Sequence, residues 1–159
     1  MSYDLVVFDP KPELRDRAAF MALYHLRTDW ADGLDYNEPS NASPALQSWF
    51  LTMIETFPPL NGRLRPADFA SNEWTADYSI ASDIIVIALP WSKAAAAHET
   101  TRRLAAKYGV GFFDVSGDGG AWFPSTQGTL ELAHTSDVSD GGEAGLARLM
   151  RQLQRHLKP

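Results

Sequence analysis

Hydrophobic positions follow two rhythms along this chain: short runs of β-branched and aromatic residues, and apolar residues at helical spacing. Tyr3-Asp4-Leu5-Val6-Val7-Phe8 is of the first kind and stops at Asp9-Pro10, which predicts an opening strand. Leu14, Ala18, Met21 and Tyr24, flanked by Phe20 and Leu23, then carry an apolar face over 12–28, with Pro12 suited to the first turn and Glu13 to the positive helix end. Residues 29–41 have no regular period and are dense in turn formers. Ser43 and Pro44 suit the cap and first position of a second helix over 44–57, whose face is Leu46, Trp49, Phe50, Met53, Ile54 and Phe57, and Pro58-Pro59 stops it.

Irregular sequence follows over 60–75. Tyr78-Ser79-Ile80 and the continuous run Ile84-Ile85-Val86-Ile87-Ala88-Leu89 then predict an antiparallel hairpin turning near Ala81-Ser82-Asp83, with its second strand central. Ser92 is placed to cap a third helix over 92–108, and Gly109 suits its C-terminal turn. Residues 110–115 read as a strand, the 116–120 cluster as a hairpin turn leading into Ala121-Trp122-Phe123-Pro124, and Leu130-Glu131-Leu132 as a short edge element. Leu146, Leu149, Met150, Leu153 and Leu157 predict a last helix over 143–157. The pattern is α+β: a single, mostly antiparallel sheet of four to five strands packed with about four helices, in one domain spanning 1–159.

Composition agrees with a packed domain. Hydrophobic residues make up 45% of the 159 positions, and 8 Phe, 5 Trp and 5 Tyr are enough to fill a core. The longest apolar run, Ile84 to Leu89, is far short of the ~20 residues that cross a bilayer, and no basic, export-like segment precedes Asp9, so the cytoplasm is the expected compartment and no membrane partner is expected. The absence of cysteine removes disulfides, thiolate catalysis and Cys-based metal sites together.

Charge sharpens the picture further. Lys plus Arg is 14 against 20 Asp plus Glu, a formal charge of −6, which disfavours direct binding to nucleic acid. The distribution is uneven. Asp29, Asp32, Asp35, Glu38 and Glu55 lie between Thr28 and Gly62 with no Lys or Arg among them, whereas Arg148, Arg151, Arg155 and Lys158 fall near the end of the sequence with no acid after Glu143. The basic stretch reads as a solvated helix face. In the acidic one, Trp30, Leu34 and Tyr36 are interleaved with the acids, a mixture suited either to protein recognition or to a loop closing the first helix against the core.

Catalytic and metal motifs do not assemble. His98-Glu99-Thr100-Thr101-Arg102 begins like a zinc-protease helix, but Arg102 stands where the second histidine must be. Loop 29–38 is rich in carboxylates without the alternating ligands of a calcium loop, and Gly117-Asp118-Gly119-Gly120 has neither the lysine nor the following helix of a phosphate cradle. No serine sits in a nucleophile motif. No catalytic, metal or cofactor-binding residue is therefore assigned, and no cofactor is expected.

Met1 to Leu5, the Phe-Pro-x-x-Asn-Gly element at Phe57 to Gly62, Asp77-Tyr78-Ser79-Ile80, Trp91-Ser92 and Val110-Gly111-Phe112-Phe113-Asp114 form an ordered series covering most of the chain. In that series the chain resembles small bacterial immunity proteins encoded beside polymorphic toxins of contact-dependent inhibition and type VI secretion competition systems. The resemblance implies a cytosolic antidote, not an enzyme, that binds one cognate toxin and covers its active site. An acidic inhibitor matches a basic toxin, a nuclease for example. The candidate partner-binding residues are Asp29, Trp30, Asp32, Asp35, Tyr36 and Glu38. The alternative is a small carboxylate- or histidine-dependent enzyme.

Overall fold

The computed structural model describes residues 1–30 and 33–136. Its first strand, β1 (Ser2–Phe8), explains why the opening sequence is a run rather than an alternation: Leu5, Val6, Val7 and Phe8 are all fully buried because both faces of the sheet are covered. Five more strands join it, β2 (Asp77–Ile80), β3 (Ile84–Pro90), β4 (Gly111–Phe113), β5 (Ala121–Pro124) and β6 (Leu130–His134). Their order is β2-β3-β1-β4-β5-β6, every neighbouring pair antiparallel. The continuous run 84–89 falls in β3, between β2 and β1. The fold is thus α+β with one antiparallel sheet.

Three helices cover that sheet among the described residues: α1 (Arg17–Arg27), α2 (Pro44–Met53) and α3 (Ala94–Tyr108). Tyr3, Leu5 and Val7 of β1 share a core with Ile85, Ile87 and Leu89 of β3 and with the buried faces of α2 and α3. Val6 and Phe8 point the other way, into a core with Phe20 and Tyr24 of α1, Phe113 and Phe123. The two helices on the first face are joined by polar contacts as well: Trp49 Nε1 donates to the Thr101 carbonyl at 3.4 Å, and the Thr52 and Tyr108 hydroxyls are 2.6 Å apart. Gly111 admits no side chain, since a Cβ there would run into the Phe8 ring.

Several boundaries differ from the sequence reading. The sheet has six strands, not four to five, because 121–124 and 130–134 pair as a hairpin. The helix expected over 12–28 is interrupted: Pro12–Arg15 is a 3₁₀ turn, Asp16 is extended, and its side chain accepts the Ala19 amide at 2.9 Å to start α1. The second helix ends at Met53 rather than 57, although Phe57 remains buried. Ser43 precedes α2 without capping it and gives its hydroxyl to Asp9 instead, at 2.7 Å. Ser92 lies inside a 3₁₀ turn, Trp91–Lys93, that leads into α3 and so does not cap it. Gly109 does end α3 in the left-handed region, φ +68°. The helix expected over 143–157 lies outside the described residues. Among the described residues no helix is long and apolar enough to cross a membrane.

Candidate functional site

Polar chemistry gathers in two regions, one at the β2 edge of the sheet and one where α3 passes β1 and β4 toward the β5–β6 turn. At the β2 edge, α1 delivers the chain into the acidic segment. Thr28 closes the helix by donating its hydroxyl to the Tyr24 carbonyl at 2.9 Å. Arg27 reaches the turn between β2 and β3 and donates to both carboxylate oxygens of Asp83, at 2.7 and 2.9 Å. Burial pushes the Asp83 carboxyl up, but the hydrogen bonds and charge of Arg27, with Lys11 3.9 Å away, outweigh it and hold the group below the usual aspartate value.

Trp30 takes a left-handed backbone, φ +38°, an uncommon conformation for a large side chain. Its half-buried ring packs onto the α1-side core and stands edge-on to Tyr36, with centroids 5.0 Å apart. The Tyr36 carbonyl accepts the Ile80 amide at 2.7 Å and ties the segment to the edge strand. Asp35 accepts the Asn37 amide at 2.9 Å. Glu38 accepts the amide and hydroxyl of Ser40 and lies 3.4 Å from Arg63; the Arg63 contact first, then the Ser40 bonds, hold it below the usual glutamate value. Asp29 is exposed. Asp32 lies outside the described residues.

Of the six candidate partner-binding residues, then, Trp30 and Tyr36 are brought together, whereas Asp35 and Glu38 are engaged in their own turns. Beside them lies a cavity of about 270 Å³ lined by Leu26, Leu34, Tyr36 and Ile80 among others. Leu26 and Leu34 are 66% and 62% exposed, a high figure for leucine. Leu26 escaped the sequence reading because it falls off the apolar face of α1; its signal is that very misplacement.

The second region was not assembled from the sequence at all. Asp114, just past β4, is buried on the α3 side. Its Oδ2 lies 3.4 Å from His98 Nε2 of α3, and its Oδ1 accepts the Tyr3 hydroxyl at 3.3 Å and the Gly117 amide at 3.0 Å. The His98 ring meets Phe112 edge-on, at 5.2 Å. Desolvation raises the Asp114 carboxyl above its ordinary value, with Asp118 adding to the effect and His98 and the Gly117 amide opposing it. The Tyr3 phenol is pushed up to about 12 by burial and by Asp114. An aspartate held this way fixes the imidazole by one nitrogen and leaves the other for proton exchange. Residues 98 and 114 share no local motif, and only the pairing of β1 with β4 brings Tyr3 to Asp114.

Beside His98 a groove of about 370 Å³ opens between α3 and the turn joining β5 to β6, lined by Arg102, Arg103, Ala106, Thr129 and Leu130. The Arg102 guanidinium lies 4.7 Å over the Trp122 ring. Among the described residues no group of three or more His, Asp or Glu converges as metal ligands would. No family model matches the chain, nor does any curated protein or solved structure.

Proposed function

We propose that this chain is an immunity protein that binds a cognate toxin domain in the cytoplasm and neutralises it by covering the active site, with a basic toxin such as a nuclease as the matching partner. The observation that carries this reading is the acidic segment at the β2 edge. Its described flanks are anchored, Arg27 by the pair with Asp83 and Tyr36 by its backbone bond to Ile80. Leu34 of the segment and Leu26 of α1, both exposed, border a cavity next to an aromatic pair, the combination of apolar anchors and charged rim found in protein interfaces. The ordered series of motifs shared with immunity proteins points the same way, and the net charge of −6 suits a basic partner.

The test is co-purification with the product of the neighbouring toxin gene. A stoichiometric complex that protects cells from the toxin is expected, weakened at least tenfold by Trp30→Ala in a chain that still folds. Failure of the two purified proteins to associate overturns the proposal. A second reading, a small histidine-dependent enzyme, has the His98–Asp114–Tyr3 array in its favour. His98→Asn separates the two: a binder keeps both complex and protection, whereas an enzyme keeps the complex at most and loses protection.

A further inference from the structure

We propose that the groove between α3 and the β5–β6 turn is a binding site for a small dianionic ligand, in chemical class a phosphate monoester. Three features converge there. The first is charge without a partner. Arg102 and Arg103 line the groove, and among the described residues neither has a carboxylate within ion-pair distance, in a protein whose net charge is −6. Two exposed guanidinium groups that border one groove, without a carboxylate in ion-pair distance to screen them, raise the local positive potential to which an anion is drawn. Their planar forks match phosphate oxygens in pairs.

The second feature is preorganisation. Arg102 is not a free surface arginine, since its guanidinium carbon lies 4.7 Å over the Trp122 ring, a cation–π contact that limits its motion. His98, one helical turn before Arg102, is held by the buried Asp114, which Tyr3 and Gly117 fix from the other side. The cationic side of the groove is thus positioned by groups that do not themselves face the ligand. Glu99 also lines the groove and keeps the site from being indiscriminately positive.

The third feature is shape. Ala106 and Leu130 give the groove an apolar wall, and the Thr129 hydroxyl lies in the turn opposite α3. At about 370 Å³ it falls in the range of ~300–1,000 Å³ that small-molecule sites occupy. A ligand with a charged head and a small apolar body fits this division better than a bare anion does. The site lies apart from the acidic segment at the β2 edge, so it stands or falls independently of the toxin-binding reading.

Titration of the full chain with phenyl phosphate, followed by amide NMR and calorimetry, tests the proposal, with inorganic phosphate and benzoate as comparison probes. Saturable binding of phenyl phosphate is expected, tighter than that of inorganic phosphate because of the apolar wall and tighter than that of benzoate because of the second charge. Shifts should be confined to α3 and residues 125–130. Arg102→Gln should weaken binding ~10-fold or more, and Arg102→Gln with Arg103→Gln should abolish it. Lys107→Gln, on the same helix outside the groove, should leave it unchanged and so separates a site from general charge. Absence of saturable binding at millimolar phenyl phosphate, or binding that survives the double replacement in a folded chain, overturns the proposal.

Discussion

The two polar regions of the molecule use charge in opposite ways. At the β2 edge the acids are tied to the fold: Asp83 is clamped by Arg27, Asp35 accepts its neighbour's amide, and Glu38 closes a 3₁₀ turn and meets Arg63. In the groove beside the β5–β6 turn, Arg102 is laid on Trp122 and neither it nor Arg103 meets a carboxylate among the described residues. A charge answered within the chain shapes a surface, whereas a charge left unanswered and held still creates a place for something else. The candidate interface at the β2 edge accordingly depends more on Leu26, Leu34, Trp30 and Tyr36 than on its carboxylates.

The largest effect is expected from a residue that belongs to neither region. Phe50 of α2 is buried and meets Tyr78 edge-on at 5.0 Å, so Phe50→Ala should cost about 2–5 kcal/mol in a denaturant titration and loosen both regions together. A loss felt in one region only, seen by amide exchange, would mean the sheet does not couple them. Next comes Arg27→Ala, which strands the buried Asp83 carboxylate and should cost about 2 kcal/mol, less than a fully buried pair because Arg27 is partly exposed.

The two regions should also differ in the sign of their pH response. Asp83 sits below the ordinary aspartate value of about 3.9, so its contribution is present above that pH and is lost as pH falls through its lower folded value. Asp114 sits above it, so the folded state holds a proton that the unfolded state releases, and stability declines as pH rises from about 3.9 to the folded value. Thermal melts across the acid range should therefore lose their acid-side destabilisation in Arg27→Ala, while Asp114→Asn should remove the opposing slope. The same sign in both variants would undo the contrast. The smallest effect belongs to charge steering: Asp29→Lys with Asp35→Lys should slow association with a basic toxin by roughly a few-fold at low salt and leave dissociation nearly unchanged.

Much of the framework was legible in the sequence, for a physical reason. Runs such as Leu5 to Phe8 and Ile84 to Leu89 announce strands covered on both faces, and Leu46, Trp49, Phe50 and Met53 announce a helix by spacing alone. The break at Asp16 was harder to see because an apolar face continues across it, and only the extended cap shows that two elements share that face. β6 was seen only as the short edge element 130–132, since Glu131 and Leu132 are exposed and carry no core signal. Of the candidate partner-binding residues, Trp30 and Tyr36 were visible only as aromatics interleaved with acids, and nothing in the sequence told that the two rings meet or that Asp35 and Glu38 answer to Asn37 and Ser40. The His98–Asp114 pair was invisible because the proximity is made by sheet order, not by sequence.

That sheet order also governs how the chain can reach its native state. β1 comes first in the sequence yet lies inside the sheet, where Val6 faces Val86 on one side and Phe113 on the other. Neither ladder can form until more than half of the chain is available, whereas the local hairpin β2–β3 closes only a short loop. Contacts this distant in sequence slow folding, because the entropy of closing the intervening loops is lost before the pairing returns anything. During synthesis the apolar stretch from Leu5 to Phe8 must wait without a partner until β3 has emerged, and with one edge still open until residue 113 has, an interval in which it is exposed to aggregation.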